Sequence, residues 1–182
     1  MQRSQAMKID KNYHKIKKIK CLLLDVDGVL TDSKLYLDNN GVESKTFNSK
    51  DGLGLRMLQD SGIEVGVITA RNSKIVQHRA DELGFKYVYQ DRKQKLPAFE
   101  EFLSDSGLKP DEITYVGDDL IDLPILSRVG FAVAVADSHK IVLKMADYIT
   151  TLNGGCGAVR EVCEKIMLTQ NTFAEQLSKF NL

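Results

Sequence analysis

Apolar positions in this chain fall into short runs separated by segments of helical spacing. Cys21–Leu24 is a continuous apolar run of strand length, which predicts a strand buried on both faces. Asp25, Asp27 and Gly28 follow it at once, and glycine lets a backbone turn sharply there. Residues 64–69, 87–89, 113–117, 131–135 and 148–150 repeat the strand signal. Between them lie helical patterns. The first follows Ser49–Gly52, carries Leu53, Leu55 and Leu58, and stops near Ser61 and Gly62. The second is capped by Asn72 or Ser73, carries Ile75, Val76 and Leu83, and ends at Gly84. The third has Pro97 in its first turn, turns Phe99, Phe102 and Leu103 inward, and runs to about Ser106. A fourth covers 120–128 with Pro124 in its first turns. A fifth covers 158 to about 168 after Gly154, Gly155 and Gly157, and the tail 169–182 adds a loose helix.

Strands alternating with helices at this spacing predict an α/β fold: a doubly wound parallel sheet with helices on both faces. Residues 34–48 are the exception. Asn40-Gly41 between two short β-prone runs predicts a β-hairpin inserted after the first strand.

Composition narrows the class. A length of 182 residues suits one domain spanning 1–182, and 43% hydrophobic with 27% charged residues is ordinary for a soluble globule. A formal net charge of zero points to no nucleic acid and no anionic membrane as partner. The basic cluster from Lys8 to Lys20 reads as a solvated helix face, because Tyr13, Ile16 and Ile19 recur within it. Asp25 and Asp27 interrupt the early apolar stretch, so neither a membrane span nor a signal peptide is expected. Cys21, Cys156 and Cys163 are odd in number and lack metal spacing, as in reduced cytoplasmic proteins. His14, His78 and His139 are scattered and receive no role.

Side chains two apart in a strand point the same way, so Asp25 and Asp27 leave the sheet together at its carboxyl edge. Open α/β sheets bind ligands at that edge. Thr69, Lys95 and the group Asp118, Asp119 and Asp122 also stand at strand ends or helix starts, so all of them can share one site. Clustered carboxylates repel one another unless a cation joins them, and oxygen ligands suit a hard ion such as Mg²⁺. Thr69 and Lys95 offer a hydroxyl and a positive charge to phosphate oxygens. An aspartate can attack phosphorus, and a second carboxyl can protonate the leaving oxygen.

The order DxDG, strand-Thr, Lys, GDDxxD resembles the haloacid dehalogenase superfamily of phosphatases over nearly the whole chain. Within it, LDVDGVLTDSKLYLD, FNSKDGLGLRML, VITARNS, QKLPAF, VGDDLIDLP and GGCGAVREVC are similar to the family that acts on 3-deoxy-D-manno-octulosonate 8-phosphate (KDO 8-phosphate). That resemblance implies Asp25 as nucleophile and Asp27 as general acid and base. It implies Mg²⁺ on the Asp25 carboxylate, the Asp27 carbonyl and the Asp118 carboxylate, with Asp122 orienting the site from behind. Thr69 and Lys95 would hold the phosphoryl group. Sugar-acid contacts would fall on Asn48, Ser49, Lys50, Asp51, Gly52, Arg56, Arg71, Arg79 and Lys95, with Asp27 also meeting the substrate. Arginine's planar fork matches a carboxylate. Ala70 departs from the family, where glycine is common, and leaves Thr69 and Arg71 in place. The resemblance further implies a cytoplasmic homotetramer with hairpins packed together, serving lipopolysaccharide precursor synthesis.

Three rivals share parts of this pattern. A phosphatase for nine-carbon sialic-acid or KDN 9-phosphates has every core motif and differs only in loop side chains. A non-catalytic tetramerisation module, as in some sialic-acid cytidylyltransferases, has the fold, but this chain keeps the full catalytic set. A receiver domain also groups aspartates, Thr and Lys around Mg²⁺, but its motif order differs.

Overall fold

The computed structural model describes residues 11–181. A short helix α1 (Tyr13–Ile16) leads into strand β1 (Cys21–Leu24). The hairpin follows as β2 (Tyr36–Leu37) and β3 (Glu43–Ser44). The chain continues through α2 (Ser49–Asp60), β4 (Glu64–Ile68), α3 (Lys74–Leu83), β5 (Tyr87–Tyr89) and α4 (Lys95–Ser106). It then forms β6 (Ile113–Gly117), α5 (Leu123–Leu126), β7 (Phe131–Ala134), α6 (Lys140–Met145) and β8 (Tyr148–Ile149). Helices α7 (Ala158–Gln170) and α8 (Phe173–Ser178) complete the described chain.

Six strands form one parallel sheet in the order β5-β4-β1-β6-β7-β8. β1 lies between β4 and β6, so the chain reverses its direction of travel across the sheet there. The carboxyl ends of these three strands therefore border a crevice, where ligands bind in open sheets of this kind. All four β1 residues are fully buried, and their alternation feeds both faces. Leu22 and Leu24 join the core under α2 and α7, whereas Cys21 and Leu23 join Phe99, Phe102 and Tyr115 under α4. α2 and α7 pack closely because Gly54 has no side chain. A Cβ there would stand 2.7 Å from Cδ and 3.1 Å from Cα of Arg160.

The elements depart from the sequence expectation in four places. Leu53 is exposed, and Met57 takes an inward position on α2. Residues 120–128 split into a 3₁₀ turn at Leu120–Asp122 and the short α5, because the Asp122 side chain is drawn inward rather than left on a helix surface. α6 was not anticipated; His139 caps it, its Nδ1 accepting the Ile141 N–H at 3.2 Å. The hairpin ladder is short, pairing only Tyr36 with Ser44 and Leu37 with Glu43. Its turn is held by the Asp38 carboxylate, which accepts the N–H groups of Asn40 and Val42 at 2.8 Å each, while Gly41 takes φ +76°. At the amino end, Ile16 and Ile19 are buried as expected, and Lys8 lies outside the described residues.

Candidate active site

Asp25 leaves the end of β1 and is buried. Its Oδ1 accepts the Val26 N–H at 2.6 Å and stands 2.8 Å from Lys95 Nζ. Lys95 is the first residue of α4, and its side chain runs inward, with no exposed surface. The same ammonium stands 2.6 Å from Asp122 Oδ1 and donates to the Tyr115 hydroxyl at 3.1 Å. Tyr115 in turn donates to Asp122 Oδ1 at 2.6 Å. Asp122 Oδ2 accepts the N–H groups of Asp118 and Asp119 at 2.9 and 3.2 Å. Each Asp122 oxygen thus accepts from two donors, so its lone pairs are filled and its work is to hold Lys95 and the Asp118 loop in place.

Burial pushes the Asp25 carboxyl up to about 7; Lys95 opposes that shift and Asp122 adds to it. Burial, then the charges of Asp25 and Asp122, push Asp118 up to about 8. Burial works to lower the Lys95 ammonium, but Asp25 and Asp122 outweigh it, and its pKa is raised. Lys95 is therefore charged, and one cation faces three carboxylates.

One oxygen each from Asp25, Asp118 and Asp122 lies within 4.8 Å of the others. Asp118 Oδ1 is buried and has no hydrogen-bond partner, which is costly for a carboxylate oxygen unless a cation meets it. Gly28, at φ +94°, lets the β1 loop pass under Asp118; a Cβ there would lie 2.0 Å from Asp118 Oδ2. An all-oxygen donor set with an excess of negative charge fits a hard divalent cation.

Thr69 follows β4 directly and is buried, and its Oγ1 accepts the Arg71 N–H at 3.3 Å. Asp25, Asp27, Ser33, Thr69, Arg71 and Asp118 contribute to the walls of one cleft of about 190 Å³. The hairpin reaches over this cleft with residues the sequence reading did not single out. Lys45 Nζ forms an ion pair with Asp27 Oδ1 and stands 3.4 Å from Glu43 Oε1. Glu43 Oε1 also meets Arg71 Nη2 at 2.7 Å, and Arg71 Nε lies 3.9 Å from Asp27 Oδ2.

Residues 87–162 match the model of the haloacid dehalogenase-like hydrolase family. The chain is 47% identical over 161 residues to 3-deoxy-D-manno-octulosonate 8-phosphate phosphatase KdsC of Escherichia coli K12, spanning 88% of this chain and 86% of that protein. The crystal structure of the Yersinia pestis phosphatase of that name superposes with a TM-score of 0.88 at 44% identity, covering 90% of this chain and 88% of the other. The Moraxella catarrhalis enzyme of that name, crystallised with a magnesium ion, a phosphate ion and a KDO molecule, gives a TM-score of 0.92 at 40% identity, covering 94% of this chain and 99% of the other.

The chain belongs to the KDO 8-phosphate phosphatase family. It is a haloacid dehalogenase-like phosphatase, and the network around Asp25 stands at the carboxyl edge of its sheet.

The phosphatase places its remaining sequence-predicted residues elsewhere. Asn48 caps α2, accepting the Lys50 N–H at 2.8 Å and donating to the Gly155 carbonyl at 3.3 Å. Asp51 is buried and accepts the Arg160 N–H at 2.8 Å, so it ties the start of α7 to α2. Ser49 and Lys50 are exposed. Gly52 leaves room for Arg79, since a Cβ would lie 2.4 Å from Arg79 Nη2. Arg79 Nη1 meets Glu82 Oε2 at 2.8 Å, Arg56 Nη2 meets Glu82 Oε1 at 3.5 Å, and the Arg79 guanidinium lies 5.7 Å from the Phe47 ring centroid. None of these residues lines the cleft within one chain. The glycine-rich segment before α7 is also structural: a Cβ on Gly154 would lie 1.7 Å from the Gly28 carbonyl oxygen, and the Gly155 N–H donates to Val29 at 2.9 Å. It braces the loop that carries Asp27.

Proposed function

We propose that this phosphatase hydrolyses KDO 8-phosphate to KDO and inorganic phosphate, with Mg²⁺, through an aspartyl-phosphate on Asp25. The observation that carries the reading is the buried Asp25–Lys95–Asp122 network beside the unsatisfied Asp118 oxygen. It combines a fixed nucleophile, a phosphate-neutralising cation and a metal-compatible carboxylate pair. The magnesium found in the Moraxella catarrhalis relative favours that ion here.

The Asp25 carboxylate, the Asp27 backbone carbonyl and the Asp118 carboxylate would hold the ion. When bound, it supplies positive charge that lets an anionic carboxylate approach an anionic phosphate. Asp25 attacks phosphorus, the bond from phosphorus to the sugar oxygen breaks, and the Asp27 carboxyl gives its proton to that oxygen. Water then attacks the phosphorus of the aspartyl-phosphate, Asp27 takes the water's proton, and Asp25 is released as a carboxylate with inorganic phosphate. Thr69 and Lys95 hold the phosphoryl oxygens in both halves. Arg71, at the mouth of the cleft, meets the sugar-acid carboxylate.

The same reading takes the chain as one hydrolase domain working in the cytoplasm on a lipopolysaccharide precursor, assembled as a homotetramer. Leu35, Leu37 and Val42 on the hairpin are each more than half exposed, apolar surface of the kind that subunits cover. The exposed Ser49, Lys50 and Arg56 would then serve the site of a neighbouring subunit. Side-by-side kcat/KM values on KDO 8-phosphate and on sialic-acid and KDN 9-phosphates test the substrate. The reading predicts the eight-carbon ester as the best of the three; a nine-carbon ester ahead of it would reassign the enzyme.

A further inference from the structure

The Lys45 side chain is only 2% exposed, on an insert that is mostly open to solvent. Between residues 33 and 46 only Glu43 and Lys45 are shielded; Lys45 turns to Asp27, and Glu43 to Lys45 and Arg71. A lysine is strongly hydrated and flexible, so burying its ammonium is unfavourable unless carboxylates meet it. Two do: Asp27 Oδ1 in direct contact, and Glu43 Oε1 at 3.4 Å. Glu43 also holds Arg71, whose Nε lies 3.9 Å from the other Asp27 oxygen. Charges therefore alternate around a closed ring of Asp27, Lys45, Glu43 and Arg71. Asp27 meets the hairpin's Lys45 at one oxygen and faces Arg71, from the loop after β4, at the other, whereas Asp25 is gripped from beneath by Lys95.

We infer that Lys45 is a positioning residue for Asp27: it fixes the carboxyl that exchanges the proton with the leaving oxygen, and it couples that carboxyl to the closed hairpin. The inference rests on the proposed acid and base role of Asp27. Lys45 stands at Asp27, whereas the lysine at the nucleophile Asp25 is Lys95. A two-stranded hairpin is marginal in water by itself, and this ring is what fastens it over the cleft.

The test compares kcat/KM on two esters. KDO 8-phosphate has an alkoxide leaving group that needs a proton; 2,4-dinitrophenyl phosphate has one that does not. Both values report phosphoryl transfer to Asp25. Lys45→Met keeps the alkyl stem packed and removes only the charge. It is expected to lose about 10²-fold on KDO 8-phosphate, the scale of a misplaced reacting group, and far less on the aryl ester. Asp27→Asn should show the same bias, the double variant should lose no more than Asp27→Asn alone, and Lys45→Arg should recover part of the loss. Equal losses on both esters in Lys45→Met would make the residue a fold determinant and overturn the inference. A raised KM with kcat kept would make it a substrate contact and overturn it too. If Asp27→Asn itself shows no bias between the esters, the acid and base reading fails first and the inference with it.

Discussion

Lys95 Nζ stands 2.8 Å from Asp25 Oδ1, and both side chains are buried. A lysine at the first position of α4 thus meets a carboxylate at the end of β1, and Asp122 at 2.6 Å completes the grip. Buried ions of this kind are stable only as a set, because each offsets the desolvation of the others.

Removing one member leaves the others unpaired. Lys95→Met is expected to destabilise the fold by about 3–5 kcal/mol, the usual consequence of breaking a buried ion pair. Denaturant unfolding at neutral pH checks this. A loss no larger than that of an exposed lysine would mean that water reaches the network freely.

The metal-free protein should be less stable in mild base than in mild acid. Asp25 and Asp118 have folded-state pKa values of about 7 and about 8, above the ordinary 3.8. Raised carboxyl pKa values mean that the folded state holds protons the unfolded chain has released. Their contribution is complete below the unfolded pKa and is lost as pH rises through the folded values. Melting temperatures of chelated protein should therefore fall between pH about 5 and about 8.5, and added Mg²⁺ should stabilise most at the upper end, since binding releases those protons. A flat or rising profile without metal would contradict the burial assigned to these groups.

Metal removal should also abolish turnover. Chelation is expected to remove activity and Mg²⁺ to restore it, because Asp25 and Asp118 cannot both face a phosphate without a cation. Full activity in a demonstrably metal-free sample would count against the donor set.

Arg71 has its backbone N–H on Thr69 and its guanidinium on Glu43, at the mouth of the cleft. Arg71→Ala should therefore cost far more on KDO 8-phosphate than on a simple aryl phosphate, which carries no sugar acid. Similar losses on both would assign Arg71 to the phosphoryl group.

The proposed homotetramer would bury the exposed hairpin surface. Light scattering on the intact chain and on a form lacking residues 34–46 should show a tetramer and a smaller species, with activity on the sugar phosphate lost in the second. A fully active monomer of the intact chain would overturn the assembly.

Strand-end chemistry was readable from sequence because period and spacing determine it. Once β1, β4 and β6 are recognised, Asp25, Thr69 and Asp118 must meet at one edge, and Lys95 and Asp122 begin or precede helices that start there. Lys45 and Glu43 were not readable. They lie on a hairpin with only two residue pairs in its ladder, and nothing in its own pattern says which way it folds back. α6 was missed for a related reason: its cap is a histidine rather than a usual capping residue. Arg56 and Arg79 were named by motif alone, and within one chain they meet Glu82 instead of the cleft.

The central claim is that Asp25 is the phosphoryl acceptor, and phosphate release from KDO 8-phosphate by Asp25→Asn with saturating Mg²⁺ tests it most directly. That variant is expected to fold as the parent does and to release almost no phosphate, while the parent turns the ester over. Substantial release by a correctly folded Asp25→Asn protein would contradict it.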